Sequence, residues 1–345
     1  MRASRSSSPT PPRPSARTST GSPASSSPRA GSHDRRSRPV VASETVADGR
    51  PIGVFDSGVG GLTVLREILR RTPGESTIYL GDNLRAPYGT RPDEEVRAFS
   101  IEALDELAAR DVKAIVVACN TSTAVALGDF RRRYDLPILG VVRPGAVTAA
   151  LTTRNRRVGV IATPATVRSH AYFNAIKDEN PAVEVYEHAT PAFVPLVEAG
   201  RLTGPEVERE VADSLAPLLG ERDAAGDFVF PLPASARIDT LLLGCTHYPL
   251  LRAVIASVAG DGVAIVDSAT ATASALVELL AINGLEAPLG ADATAGTTAD
   301  GRGAEPPTHV QLTTGDVDTF RAVAERIFGE AFSDVASVEV AAVPS

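Results

Sequence analysis

Apolar residues arrive in short unbroken runs separated by stretches of helical period. The runs IGVF (52–55), TIYL (77–80), AIVVA (114–118), PILGVV (137–142), RVGVIA (157–162), VEVYE (183–187), DTLLLG (239–244) and VAIVD (263–267) have the length and Val/Ile/Leu content of strands buried on both faces. Between them, Leu62, Leu65, Ile68 and Leu69 share one helical face, as do Val96, Phe99, Ala103, Leu104 and Leu107. Strands alternating with amphipathic helices predict an α/β fold of two similar units, with mostly parallel sheets flanked by helices. Residues 286–307, rich in Gly, Ala and Thr, break the alternation as a flexible linker, and a last strand (VQLTT) and helix (DVDTFRAVAERIFGEAF) follow.

Residues 1–48 lack this pattern. They are Ser, Pro and Arg with almost no large apolar side chains, a composition that cannot offset its own ordering entropy, and they read as a disordered tail. Seven prolines argue against the amphipathic helix of a transit peptide, so a mis-set start or a dispensable extension is the reading. The tail also conceals charge. It holds eight arginines against three acids, so the net −8 of the chain leaves −13 on the remainder, which disfavours a nucleic-acid partner. No apolar run reaches membrane-spanning length. Two cysteines without an apolar secretory segment fit a reducing, cytoplasmic setting.

Lysine is scarce, with only Lys113 and Lys177 against 32 arginines. Neither has the setting of a pyridoxal phosphate Schiff base or of a P-loop. The glycines of DSGVGGLTV resemble a dinucleotide loop, but Thr63 stands where its third glycine belongs. No Cys-x-x-Cys is present and the histidines His33, His170, His188 and His309 are scattered, so no metal site is expected.

Parallel sheets bind ligands beyond the carboxyl ends of their strands. Four loops lie there: DSGVGG, GDNLRAPYGTRP, CNTST and CTHYP. The only two cysteines, Cys119 and Cys245, occupy equivalent positions in two of them, each preceded by an apolar run and a small residue. A helix N-terminus just after each would favour its thiolate. The bland reading of a strand-end cysteine is a small buried hydrophobe. His247 beside Cys245 suits proton handling or simple capping, and Asp56 suits a helix cap or an acid group.

In that order, IGVFDSGVGGLTVLREI, YLGDNLRAPYGTRP, VVACNTSTA, FVPLVEAG and LLLGCTHYPLL resemble the glutamate racemases, cofactor-independent enzymes that make D-glutamate for peptidoglycan. The resemblance runs from Pro51 to Gly284 and resumes at VQLTTGDVDTFRAVAERI. It implies a two-base reaction with Cys119 acting on the D-glutamate side and Cys245 on the L-glutamate side, since inversion without an electron sink needs one acid and one base on opposite faces. By the same resemblance Asp56 assists Cys119, while His247, backed by Glu198, assists Cys245. Substrate contacts are implied at Asp56, Ser57, Tyr88, Gly89, Asn120, Thr121, Thr246 and His247. It further implies a first domain of 50–146 plus 250–345, a second of 147–249 with the site in the cleft between them, no cofactor, and a homodimer. One departure is Thr190, where many members carry cysteine.

Three rival readings stand beside this one. An aspartate racemase of the same superfamily would tend to carry glutamate where CTHYP has histidine. A decarboxylase or thiol hydrolase on this fold would depend on one cysteine alone. A binding or scaffold protein would bury both thiols unreactive.

Overall fold

The apolar runs become parallel strands with helices above and below them. The computed structural model describes residues 48–222, 228–229, 237–288, 306–328 and 335–341. The disorder expected for 1–48 and most of the 286–307 linker therefore fall outside the described residues. In chain order the first half comprises β1 (Ile52–Asp56), α1 (Leu62–Arg71), β2 (Thr77–Gly81), α2 (Asp93–Ala108), β3 (Ala114–Val117), α3 (Asn120–Arg133), β4 (Ile138–Gly140) and α4 (Val142–Thr152). Then follow β5 (Arg157–Ala162), α5 (Pro164–Ser169), α6 (Ala171–Glu179), β6 (Glu184–Ala189), α7 (Phe193–Glu198), α8 (Pro205–Leu219) and a small antiparallel hairpin, β7 (Glu221–Arg222) with β8 (Phe228–Val229). The chain continues through β9 (Thr240–Gly244), α9 (Arg252–Ala259), β10 (Ala264–Asp267), α10 (Ser268–Asn283), β11 (His309–Thr313), α11 (Val317–Phe328) and β12 (Val335–Ser337).

Two wholly parallel sheets result. The six-stranded sheet has the order β12-β11-β2-β1-β3-β4, and the four-stranded sheet the order β10-β9-β5-β6. Successive side chains of a strand point to opposite faces, so a strand covered on both sides is apolar throughout. In β1, Ile52 and Val54 join the core under α1, α10 and α11, while Phe55 joins the core under α2 and α3. In β9, Leu241 and Leu243 pack towards α7, α8 and α9, and Leu242 packs towards α4 and α6. The helix α4 carries the chain from the first sheet to the second. After β10 has paired with β9, α10 packs on both α1 and α4, and the chain next contributes a strand to the first sheet at His309.

The pattern misplaced one strand end. PILGVV reads as a strand to Val142, yet the strand stops at Gly140 and helix α4 begins at Val142. Pro144 fits there because the first helical turn needs no amide donor from it. The strand β12 and the β7–β8 hairpin were not legible, being only three and two residues per strand.

At the opposite end of β3 from the cysteine, Lys113 is buried and its ammonium pairs with Glu75 at 2.5 Å and donates to the Asp48 carbonyl at 2.7 Å. Glu75 also accepts from the Ala287 amide at 2.8 Å. This buried pair ties four distant chain segments together at the floor of the first sheet.

Candidate active site

The carboxyl ends of six strands, β1, β2, β3, β5, β6 and β9, converge on one pocket enclosing about 650 Å³, open solvent at its mouth included. Beyond β1 the chain turns through Ser57 and Gly58. The buried Asp56 accepts from the Gly58 amide at 3.1 Å, and the Tyr79 hydroxyl donates to the Gly58 carbonyl at 2.7 Å. Beyond β3, Cys119 caps α3: its sulfur accepts from the Ser122 amide at 3.4 Å and lies 3.6 Å from Ser57 Oγ. The next residue, Asn120, accepts from the Tyr172 hydroxyl at 2.5 Å, and its buried Nδ2 has no partner among the described residues.

Beyond β9 lies Cys245, whose sulfur is 3.8 Å from His247 Nδ1. The other ring nitrogen, Nε2, faces Glu198 Oε1 at 3.4 Å. The two halves touch directly. Thr246 Oγ1 donates to Asp56 at 3.4 Å, Thr63 Oγ1 reaches the Thr246 carbonyl at 3.0 Å, and the Thr121 and Thr163 hydroxyls are 3.0 Å apart. At two places the approach leaves no space for a side chain. A Cβ on Gly60 would lie 2.4 Å from Thr246 Oγ1, and one on Gly89 would lie 2.5 Å from Thr163 Cβ.

Of the residues singled out from sequence, Ser57, Tyr88, Gly89, Cys119, Asn120, Thr121, Cys245, Thr246 and His247 all line the pocket, and Glu198 stands at its wall. Asp56 sits behind that wall, fully buried, with its carboxylate between the Gly58 amide and Thr246. Sequence reasoning missed Thr163 and Pro164, which also line the pocket. Their signal was present: a threonine cap followed by proline directly after a strand marks a helix start at a strand's carboxyl end. Thr190 is in the wall too, its hydroxyl donating to Tyr248 at 2.8 Å.

The electrostatics of the two thiols differ. Burial and the Asp56 charge push the Cys119 thiol up to about 11, against the opposing hydrogen bonds from Ser122 and Ser57. The thiolate-favouring helix end expected from sequence is thus present at Cys119 but outweighed. At Cys245 a 3₁₀ turn, Tyr248–Leu251, intervenes before α9, so no α-helix starts directly beside this sulfur and His247 is its partner instead. Burial works against charge on His247, but the hydrogen bonds to Cys245 and Glu198 and the charges of Cys245 and Asp56 outweigh it, raising the imidazole to about 10. Asp56 itself is raised by burial, opposed by His247 and by the Gly61 and Gly58 amides. The pocket therefore holds a thiol biased towards its protonated form on one side and, on the other, a sulfur beside an imidazole biased towards its charged form. Such a pair can accept a proton at one point and donate one at another.

Two parallel sheets thus bring acid/base side chains together at their strand ends, the setting of an α/β enzyme. Residues 52–276 match the Asp/Glu/Hydantoin racemase family. The glutamate racemase of Exiguobacterium sibiricum is 45% identical over 275 residues, covering 80% of this chain and 91% of that protein. Among solved structures, glutamate racemase RacE1 from Bacillus anthracis superposes with a TM-score of 0.72 at 37% identity, covering 84% of this chain and 98% of that one. The Francisella tularensis glutamate racemase, solved in complex with D-glutamate, gives 0.70 at 31% identity, covering 85% and 98%. The chain belongs to this racemase family, in its glutamate racemase group, and is an isomerase.

Proposed function

We propose that the protein interconverts L- and D-glutamate by a two-base reaction in which Cys245 and Cys119 exchange protons with opposite faces of the α-carbon. The observation that carries this reading is that the chain's only two cysteines, delivered by different sheets, line one pocket. In the L-to-D direction the Cys245 thiolate takes the α-proton while its imidazolium partner, His247, holds the local charge. The Cys119 thiol then gives its proton to the opposite face, leaving Cys119 as thiolate and Cys245 as thiol, and the reverse reaction restores the first state. Ser57, Thr121 and Thr246 hydroxyls, the Tyr88–Gly89 backbone and the unpartnered Asn120 Nδ2 are the polar groups available to the substrate carboxylates. Donors placed where charge develops at the α-carbon would stabilise the carbanion-like transition state.

The reaction needs no cofactor, and its product is the D-glutamate of peptidoglycan, made in the cytoplasm by a homodimer. Two lobes close on the substrate, and the boundary expected at 250 moves to α10, giving 50–146 with 268–345 and 147–267, because β10 pairs with β9 in the second sheet. Incubation with L-glutamate in D2O, without added pyridoxal phosphate, tests the reading. Ellipticity should decay to zero with deuterium appearing at the α-carbon. Inversion of L-aspartate alone would move the protein to the sister branch, and no α-exchange with either amino acid in folded, reduced protein would refute racemisation.

A further inference from the structure

The turn that supplies Tyr88 and Gly89 to the pocket is held from behind by residues that take no part in the wall. Tyr88 is buried and its hydroxyl points away from the pocket, donating to the carboxylate of Asp82 at the end of β2. Tyr88 therefore offers the substrate its backbone, because its phenol is engaged elsewhere. Asp82 is itself fully buried and has two further partners: Arg85 Nε donates to Oδ2 at 2.6 Å, and the Thr314 hydroxyl donates to Oδ1 at 2.7 Å. Thr314 follows β11, more than 220 residues later in the chain, and also accepts from the Leu84 amide at 3.1 Å. Beside it, the Thr313 hydroxyl donates to Asn83 Oδ1 at 3.1 Å. Arg85 pairs with Glu102 and stacks 4.3 Å over Phe99, and Arg91 Nε donates to the Arg85 carbonyl at 2.8 Å, closing the far end of the turn.

We infer that Asp82 is a positioning residue: anchored by Thr314, its carboxylate holds the Tyr88 hydroxyl and so fixes the Tyr88–Gly89 backbone in the pocket wall. The inference rests on the proposed glutamate racemisation for its kinetic consequence. A binding turn that touches the substrate equally before and during proton transfer contributes uniform binding, so loosening it raises KM and spares kcat. A defect in the thiol chemistry would do the reverse.

The test uses Thr314→Val, which keeps the side chain's shape, lies outside the pocket wall and removes the bond to Asp82 together with the acceptor of the Leu84 amide. Its companions are Thr314→Ser, Tyr88→Phe and the Thr314→Val/Tyr88→Phe double variant. Thr314→Val and Tyr88→Phe should each raise KM for both enantiomers roughly tenfold, the scale of a lost hydrogen bond to a charged group, with kcat within roughly twofold. The double variant should do less than the product of the singles, since both act through one carboxylate. Thr314→Ser should restore the native KM. Amide hydrogen exchange over 86–92, beyond the Leu84 amide that Thr314 itself accepts, is read in parallel in ligand-free protein. It should accelerate in Thr314→Val and Tyr88→Phe and return to the native rate in Thr314→Ser. If the native enzyme turns over and neither KM nor exchange responds, or if Thr314→Ser behaves as Thr314→Val, the inference is overturned. If exchange responds but the native protein inverts no glutamate, the positioning stands and the proposed substrate falls.

Discussion

Replacing Gly60 by alanine separates the geometry of the site from the stability of the fold. The added Cβ would lie 2.4 Å from Thr246 Oγ1, 2.5 Å from His247 Nδ1 and 2.7 Å from His247 Cε1, where ordinary contact begins at 3.4 Å. The neighbours must therefore retreat by about 1 Å. Both are buried, and Thr246 is already engaged by Asp56 and Thr63, so the imidazole gives way towards the pocket it lines and moves relative to Cys245, now 3.8 Å away. Overpacking of this size costs about 1–3 kcal/mol of stability, whereas a 1 Å misplacement of a reacting group costs on the order of a hundredfold in rate. Circular dichroism at saturating L-glutamate, with thermal unfolding of the same samples, should show kcat down about a hundredfold in a protein that still unfolds cooperatively. Gly74→Ala, whose added Cβ meets nothing within 4 Å, is the control and should match the native enzyme. A Gly60→Ala protein with native kcat in both directions would refute the claim that His247 is held in place by this contact.

Other outcomes follow from the same site. Cys119→Ala and Cys245→Ala should each lower racemisation by about 10²–10⁴-fold and by comparable amounts, read by circular dichroism; a large loss in only one would favour a one-cysteine enzyme. Burial and Asp56 raise Cys119 from 9.0 to about 11 in the folded chain, so the associated stability is intact below pH 9 and drains away as pH rises through about 11. Urea unfolding from pH 8 to 11 should show no extra loss below pH 9 and then up to about 1.4 kcal/mol per pH unit more loss in the native protein than in Cys119→Ala between pH 9 and 11. Lys113→Met strands a buried carboxylate on Glu75 and should cost about 3–5 kcal/mol in urea unfolding. Adding Glu75→Gln should recover most of it, since the amide oxygen can still accept from Ala287.

The strands were legible because covering a sheet on both faces forces unbroken apolar runs such as AIVVA and DTLLLG. The two cysteines and Ser57 drew attention because strand ends concentrate function, whereas Tyr88 and Gly89 read locally as a turn and were singled out only through the family resemblance. What stayed hidden depends on partners far apart in sequence. Asn120 meets Tyr172 across 52 residues and Thr314 meets Asp82 across 232, and no local pattern announces either. Sheet membership was hidden for the same reason: VAIVD reads as a strand, but nothing in it says that it pairs with β9. The balance at Cys119 was only half legible: the helix end that favours the thiolate is visible in sequence, whereas the burial and the Asp56 charge that oppose it are not.

The order in which the first sheet is completed bears on how the chain is made. Strand β2 lies between β1 and β11, but β11 pairs with it only after some 230 further residues have been synthesised. Until His309–Thr313 leaves the ribosome, the apolar TIYLG strand is an open edge with unpaired amides, the kind of surface that recruits strands from other chains. The second sheet, encoded between 157 and 267, can pair all four of its strands during that wait. The pocket floor behind Tyr88 is thus among the last parts of the molecule to form, and the nascent first sheet is its main aggregation hazard.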